Sequence, residues 1–157
     1  MNTSLDDNSN DPYDLSRFLQ AQARDYEQAL REIKNGQKRS HWIWFVFPQF
    51  DGLALSSTSQ RYSIKSLDEA RAYLAHPVLG HRLLECLEAV LRVGGRSAHE
   101  IFGSPDDMKV RSCATLFACV SPSGSLFERL LKCYFSSERD GKTLELLEID
   151  PDTLTPL

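Results

Sequence analysis

Hydrophobic positions along this chain recur with a helical rather than a strand period. From Asp14 to Asn35, the residues Leu15, Phe18, Leu19, Tyr26, Ala29, Leu30 and Ile33 fall at steps of three and four, which lines one face of an amphipathic helix. Asp14 is placed to cap its start and Asn35-Gly36 to stop it. The run His41 to Pro48 is apolar, aromatic and too short for periodicity to decide between strand and helix. With no partner strand elsewhere, it is assigned to a short helix or turn of helix capped by Ser40. Gln49 to Thr58 reads as loop, and Ser59 to Ile64 as one short helical turn.

Capping signals then punctuate the rest of the chain. Ser66 with Glu69 has the spacing of a capping box ahead of Leu67, Ala70, Tyr73 and Leu74. His76-Pro77 ends that helix, with His76 as a polar cap for the next, which carries Val78, Leu79, Leu83, Leu84, Leu87, Val90 and Leu91 up to Gly94-Gly95. Ser97 and Glu100 repeat the box, and Gly103 closes it. Ser104-Pro105-Asp106-Asp107 starts a helix running to Val120, with Ser104 as cap and Pro105 in its first position. Ser123-Gly124-Ser125 opens one through Tyr134, and Asp140-Gly141 makes a turn before a last one over Thr143 to Leu147. Helix after helix with short connections predicts an all-α, single compact multi-helix domain, with room for one short irregular aromatic segment. Its expected bounds are a disordered leader at 1–12, the helical domain at 13–149 and a frayed tail at 150–157.

Composition narrows the function classes. The 157 residues are 41% hydrophobic and 25% charged, ordinary for one globular domain. The net charge of −4 argues against a global attraction to nucleic acid or anionic membrane. No apolar run approaches the ~20 residues that span a bilayer, and the polar N-terminus is no secretory signal. Cys86, Cys113, Cys119 and Cys133 form no CxxC pair and sit in helical apolar patterns. They read as buried thiols of a reducing compartment, which gives a cytoplasmic expectation. Cys113, two residues after Arg111, is the one candidate for a reactive thiolate.

The densest chemistry lies at Lys38-Arg39-Ser40-His41-Trp42-Ile43-Trp44. If Ser40 caps a helix, the free N–H groups of its first turn beside two cations make an anion site, and an adjacent indole can stack a ring. This predicts an anionic, nucleotide-like small-molecule ligand held by Lys38, Arg39, Ser40, Trp42 and Trp44, with Arg61, Tyr62, Lys109 and Arg111 opposite and His41 as the candidate proton-transfer residue. The plainer alternative makes both indoles and Phe45 core. Asp107 and Arg111 have i,i+4 spacing for a surface ion pair. His41, His76, His81 and His99 lack metal-ligand spacing, so no metal is expected, and no Gly-rich phosphate loop or nucleophile elbow implies a cofactor or a known hydrolase. Two functions stay open: a ligand-binding domain or enzyme, and a non-catalytic interaction module that docks through the aromatic segment.

Four stretches together resemble an uncharacterised bacterial family, domain of unknown function family 1810: KRSHWIWFVFPQ from Lys38 to Gln49, QRYSI from Gln60 to Ile64, EARAYLAHPVLGHRL from Glu69 to Leu83, and SAHEIFGSPDDMKVRSCATLF from Ser97 to Phe117. The resemblance spans Leu15 to Leu147 and implies a mostly helical bacterial cytosolic domain with no settled activity. The name calpastatin sometimes attached to that family suits a disordered inhibitor, not a globular domain. A partial similarity to the helical NADAR proteins, which act on ADP-ribose-linked substrates, rests on His76-Pro77-Val78-Leu79, Leu83, Ile101-Phe102-Gly103 and Leu116. It implies ADP-ribose-like ligands and places no catalytic acid on this chain.

Overall fold

Residues 10–157 are described by a computed structural model. Among them run nine α-helices: α1 (Ser16–Lys34), α2 (Ile43–Val46), α3 (Ser57–Arg61), α4 (Leu67–Ala75), α5 (Leu79–Arg92), α6 (Ala98–Phe102), α7 (Asp106–Ala118), α8 (Leu126–Tyr134) and α9 (Gly141–Leu146), followed by a 3-10 turn at Pro151–Thr153. The all-α class follows as expected. Among the described residues the lone β feature is a single parallel bridge between Phe50 and Ile64, just past Pro48. Most of the leader assigned to 1–12 lies outside the described residues; the tail folds into its 3-10 turn, and Leu157 packs against the core.

Side-chain caps set most helix starts. The hydroxyls of Ser56, Ser66, Ser97 and Ser125 accept from the backbone N–H three residues on, and so does the Asp140 carboxylate. The Ser97/Glu100 box is reciprocal. The Ser66 box is half formed, because the Glu69 carboxylate accepts from Lys65 N–H and Arg17 instead. His76 caps α5 as expected, its Nδ1 accepting from Val78 and Leu79 N–H. At α1 the cap is Asp11, not Asp14: the Asp11 carboxylate takes the N–H groups of Leu15 and Ser16, while Asp14 sits at φ 52°. Ser104 does not cap α7 either; Pro105 occupies the N-cap position and the helix begins at Asp106. At the far end of α1, Gly36 at φ 76° closes a Schellman turn, with Gly36 N–H bonded to Ile33 C=O and Gln37 N–H to Glu32 C=O.

Two strings of aromatic rings run through the core. One joins Phe18, Tyr73, Phe117 and Phe127 at centroid spacings of 5.1, 5.4 and 5.6 Å. The other groups Trp42, Phe47 and Phe102. Helix α1 packs on α5, α7 on α8, and α2 is held between α1 and α7. The segment from Trp42 to Phe47 is therefore an interior wedge, and only Trp44 within it is partly exposed.

A buried ion pair fastens the start of α1 to the α3–α4 region. Arg17 Nη2 lies 2.6 Å from Glu69 Oε2, with the side chains 7% and 3% exposed. The guanidinium also donates to the carbonyls of Tyr13, Asp14, Arg61 and Ser63. Glu69→Ala leaves that cation buried with one bond lost, so we expect a loss of about 3–5 kcal/mol in urea unfolding at neutral pH. A second constraint lies where α5 starts against α4. A Cβ at Gly80 would stand 2.0 Å from the Leu74 carbonyl oxygen. Gly80→Ala must push two helices apart and is expected to cost about 1–3 kcal/mol or more in the same assay.

Candidate functional site

The anion site expected at the first turn of a Ser40-capped helix does not form: the backbone N–H groups of Arg39 and Ser40, ahead of the helix, bind the protein's own Glu32 carboxylate instead. Glu32, 3% exposed near the end of α1, accepts from Arg39 N–H at 2.8 Å, Ser40 N–H at 3.0 Å, Trp42 Nε1–H at 2.9 Å, Gln28 Nε2 at 2.7 Å and the Ser40 hydroxyl. Ser40 thus serves Glu32 and caps no helix; α2 starts after Trp42 without a side-chain cap. Burial by itself would raise the Glu32 carboxyl. The Ser40, Arg39, Gln28 and Trp42 donors outweigh burial and hold it far below the ordinary glutamate value.

Beside this strap opens a cleft of about 360 Å³ lined by Lys38, His41, Trp42, Trp44, Ser56, Thr58, Asp106 and Lys109, with Ile43 and Phe45 at its base. The loop after α1, helix α2, the start of α3 and the first turn of α7 each contribute one wall. Lys109 Nζ stands 4.2 Å from the Trp44 ring centroid, and Lys38 Nζ 5.1 Å from that of Trp42. Both contacts are within cation–π range. Between the lysines sits Asp106, with Oδ2 2.8 Å from Lys38 and Oδ1 3.0 Å from Lys109. Burial pushes the Asp106 carboxyl up, but the hydrogen bonds and charges of the two lysines prevail and lower it. Lys38 also donates to the Ser40 carbonyl and is only 8% exposed. His41 is exposed at the rim.

Tertiary placement divides the expected site residues. Lys38, His41, Trp42, Trp44 and Lys109 converge on the cleft. The Arg39 side chain is exposed and donates to Gln37 outside it. Arg61 lines a different cleft with Tyr13, Arg17, Lys65 and Glu69, and the Tyr62 ring packs 5.3 Å from Phe45 and 5.9 Å from Phe18. Arg111 donates to the carbonyls of Glu138 and Arg139 and pairs with Glu138 at 3.3 Å, so the expected Asp107–Arg111 pair does not form. Two residues along a helix is about 200° of rotation, so Lys109 and Arg111 cannot share a wall. The sequence marks Asp106 only as part of a helix start; its i,i+3 spacing to Lys109 is the signal that places it in the cleft.

The thiols are a further correction. Cys86 and Cys113 are buried, Cys119 is half-buried and Cys133 is exposed. Burial raises Cys113 well above the ordinary thiol value, the reverse of what a reactive thiolate needs, and pushes Cys86 up to about 12. Among the described residues no three metal-binding side chains gather, and no helix is long and apolar enough to cross a membrane.

Fold and cleft together define a small helical domain with a lysine- and tryptophan-lined recess beside a buried acid. The chain belongs to the protein family of unknown function DUF1810, whose profile matches residues 12–147. It is 48% identical to the conserved hypothetical protein Rv1873 from Mycobacterium tuberculosis, whose crystal structure superposes with a TM-score of 0.86 over 89% of this chain and 100% of that one. No curated protein matches.

The Glu32 network ties stability to pH. A carboxyl lowered by folding stabilises the protein above its unfolded value and loses that contribution as pH falls from there toward the folded value. Glu32→Gln should therefore be markedly less stable than wild type at pH 7, and the gap should narrow steadily below pH 4.5, the ordinary glutamate value. Urea unfolding of both proteins at pH 7 and pH 3 measures it; a gap that is the same at both pH values contradicts the assignment.

Proposed function

We propose that the protein binds a small anionic, ring-bearing ligand of the nucleotide or ADP-ribose class in the Lys38–Trp44–Lys109 cleft. The observation that carries this reading is the Lys109 ammonium, 4.2 Å from the half-buried Trp44 ring and joined through Asp106 to Lys38. An ammonium beside an aromatic face suits a ligand with a phosphate and a planar ring, because phosphate takes charge-assisted hydrogen bonds and the ring takes stacking. The exposed His41 side chain meets the ligand in this reading, and the Thr58 hydroxyl adds a further polar group to the lining. A docking role for the aromatic segment has less support: Trp42, Ile43, Phe45, Val46 and Phe47 are interior and present no apolar patch.

Ligand that binds only the folded state raises the melting temperature. At 100 times its Kd it adds about 2.7 kcal/mol, which is about 5–10 °C for a domain of this size. We expect such a rise with ADP-ribose or ADP, sharply reduced in Lys109→Gln and Trp44→Ala, and unchanged in Arg39→Ala, whose side chain lies outside the cleft. No rise with ADP-ribose, ADP or AMP, or an equal loss in Arg39→Ala, would overturn the reading.

A further inference from the structure

The cleft holds one group that a site for plain anions would leave out. The Asp106 carboxylate faces the recess with its side chain 19% exposed, and each oxygen already accepts from one lysine. A carboxylate repels a second anion, yet each oxygen retains a further lone pair. Lys109 is the complement: among the described residues its ammonium donates to Asp106 alone, which leaves two N–H groups for a ligand. Lys38 is more fully engaged, through the Ser40 carbonyl and Asp106. Two lysines against one carboxylate leave a single net positive charge, together with an acceptor and a donor a few ångströms apart. A cationic ligand meets the wrong sign, and a bare phosphate brings its own negative charge against the Asp106 carboxylate.

Resting on the cleft assigned above, we infer that its ligand is a phosphate ester of a sugar that keeps free ring hydroxyls, the chemistry of a ribonucleotide. Asp106 accepts from a sugar hydroxyl while Lys109 donates to the phosphate. Asp106 is then a specificity-determining residue: it lowers affinity for bare phosphates and raises it for phosphorylated sugars. Trp44, whose ring lies 4.2 Å from the Lys109 ammonium, is left to the base or ring.

Calorimetric titration of the full chain with ADP, 2′,3′-dideoxy-ADP and inorganic pyrophosphate tests this. Wild type should bind ADP about tenfold or more tighter than the dideoxy analogue, the range of a hydrogen bond to a charged group. In Asp106→Ala the two nucleotides should level, and pyrophosphate should bind at least as tightly as to wild type, because the repelling charge is gone. Equal affinity of wild type for ADP and its dideoxy analogue overturns the inference and leaves the cleft standing. Discrimination that survives in Asp106→Ala overturns it too, by removing Asp106 from the contact. Binding of none of the three to wild type overturns the cleft itself and the inference with it. The two wild-type titrations decide the hydroxyl requirement even where the variant fails to fold.

Discussion

A buried carboxylate must be matched by donors or the fold cannot contain it. Glu32 meets that condition by drawing the backbone of Arg39 and Ser40, the Ser40 hydroxyl and the Trp42 indole onto the end of α1. A charge left bare there would cost several kcal/mol. The chain after the Gly36 turn is therefore strapped back against the helix it has just left, and Lys38 N–H bonds to the Ile101 carbonyl on the way. The strap delivers Trp42 to the interior, lays α2 between α1 and α7, and brings the Lys38 ammonium to the first turn of α7. The cleft is a by-product of that geometry.

Acids decide which cations remain for a ligand. Glu32 takes the backbone donors that would otherwise have formed an anion cradle. Glu138 takes Arg111, and Glu69 takes Arg17. Asp106 holds both cleft lysines, and the Ser40 carbonyl takes a further N–H of Lys38, so Lys109 is the less engaged of the two. In a chain with more acids than bases, the cleft keeps two lysines against one carboxylate.

Helices were legible in the sequence wherever local hydrogen bonding decides them. Ser97 with Glu100 and Ser66 cap as their spacing predicts, since a side chain needs to reach only three residues to do so, and within the expected Ser123-Gly124-Ser125 opening and Asp140-Gly141 turn it is Ser125 and Asp140 that cap. The same reasoning misplaced the start of α1: Asp11 reaches over the turn that Asp14 enters at positive φ. It also assigned the Ser40 hydroxyl to a cap, because nothing local shows that a carboxylate eight residues earlier claims it first.

The family was legible too, in the stretch from Lys38 to Gln49, and so was half of the cleft, since Lys38, His41, Trp42 and Trp44 are near neighbours in the chain. What the sequence determined alone was helix content, helix ends and the concentration of aromatic and basic groups in one short segment, because these rest on contacts within a few residues. Only the tertiary structure decided that Lys109 joins that segment while Arg61 and Arg111 do not, and that Asp106 stands between the lysines. Those choices depend on helix rotation and on long-range competition among charges for burial, and neither is written in spacing along the chain.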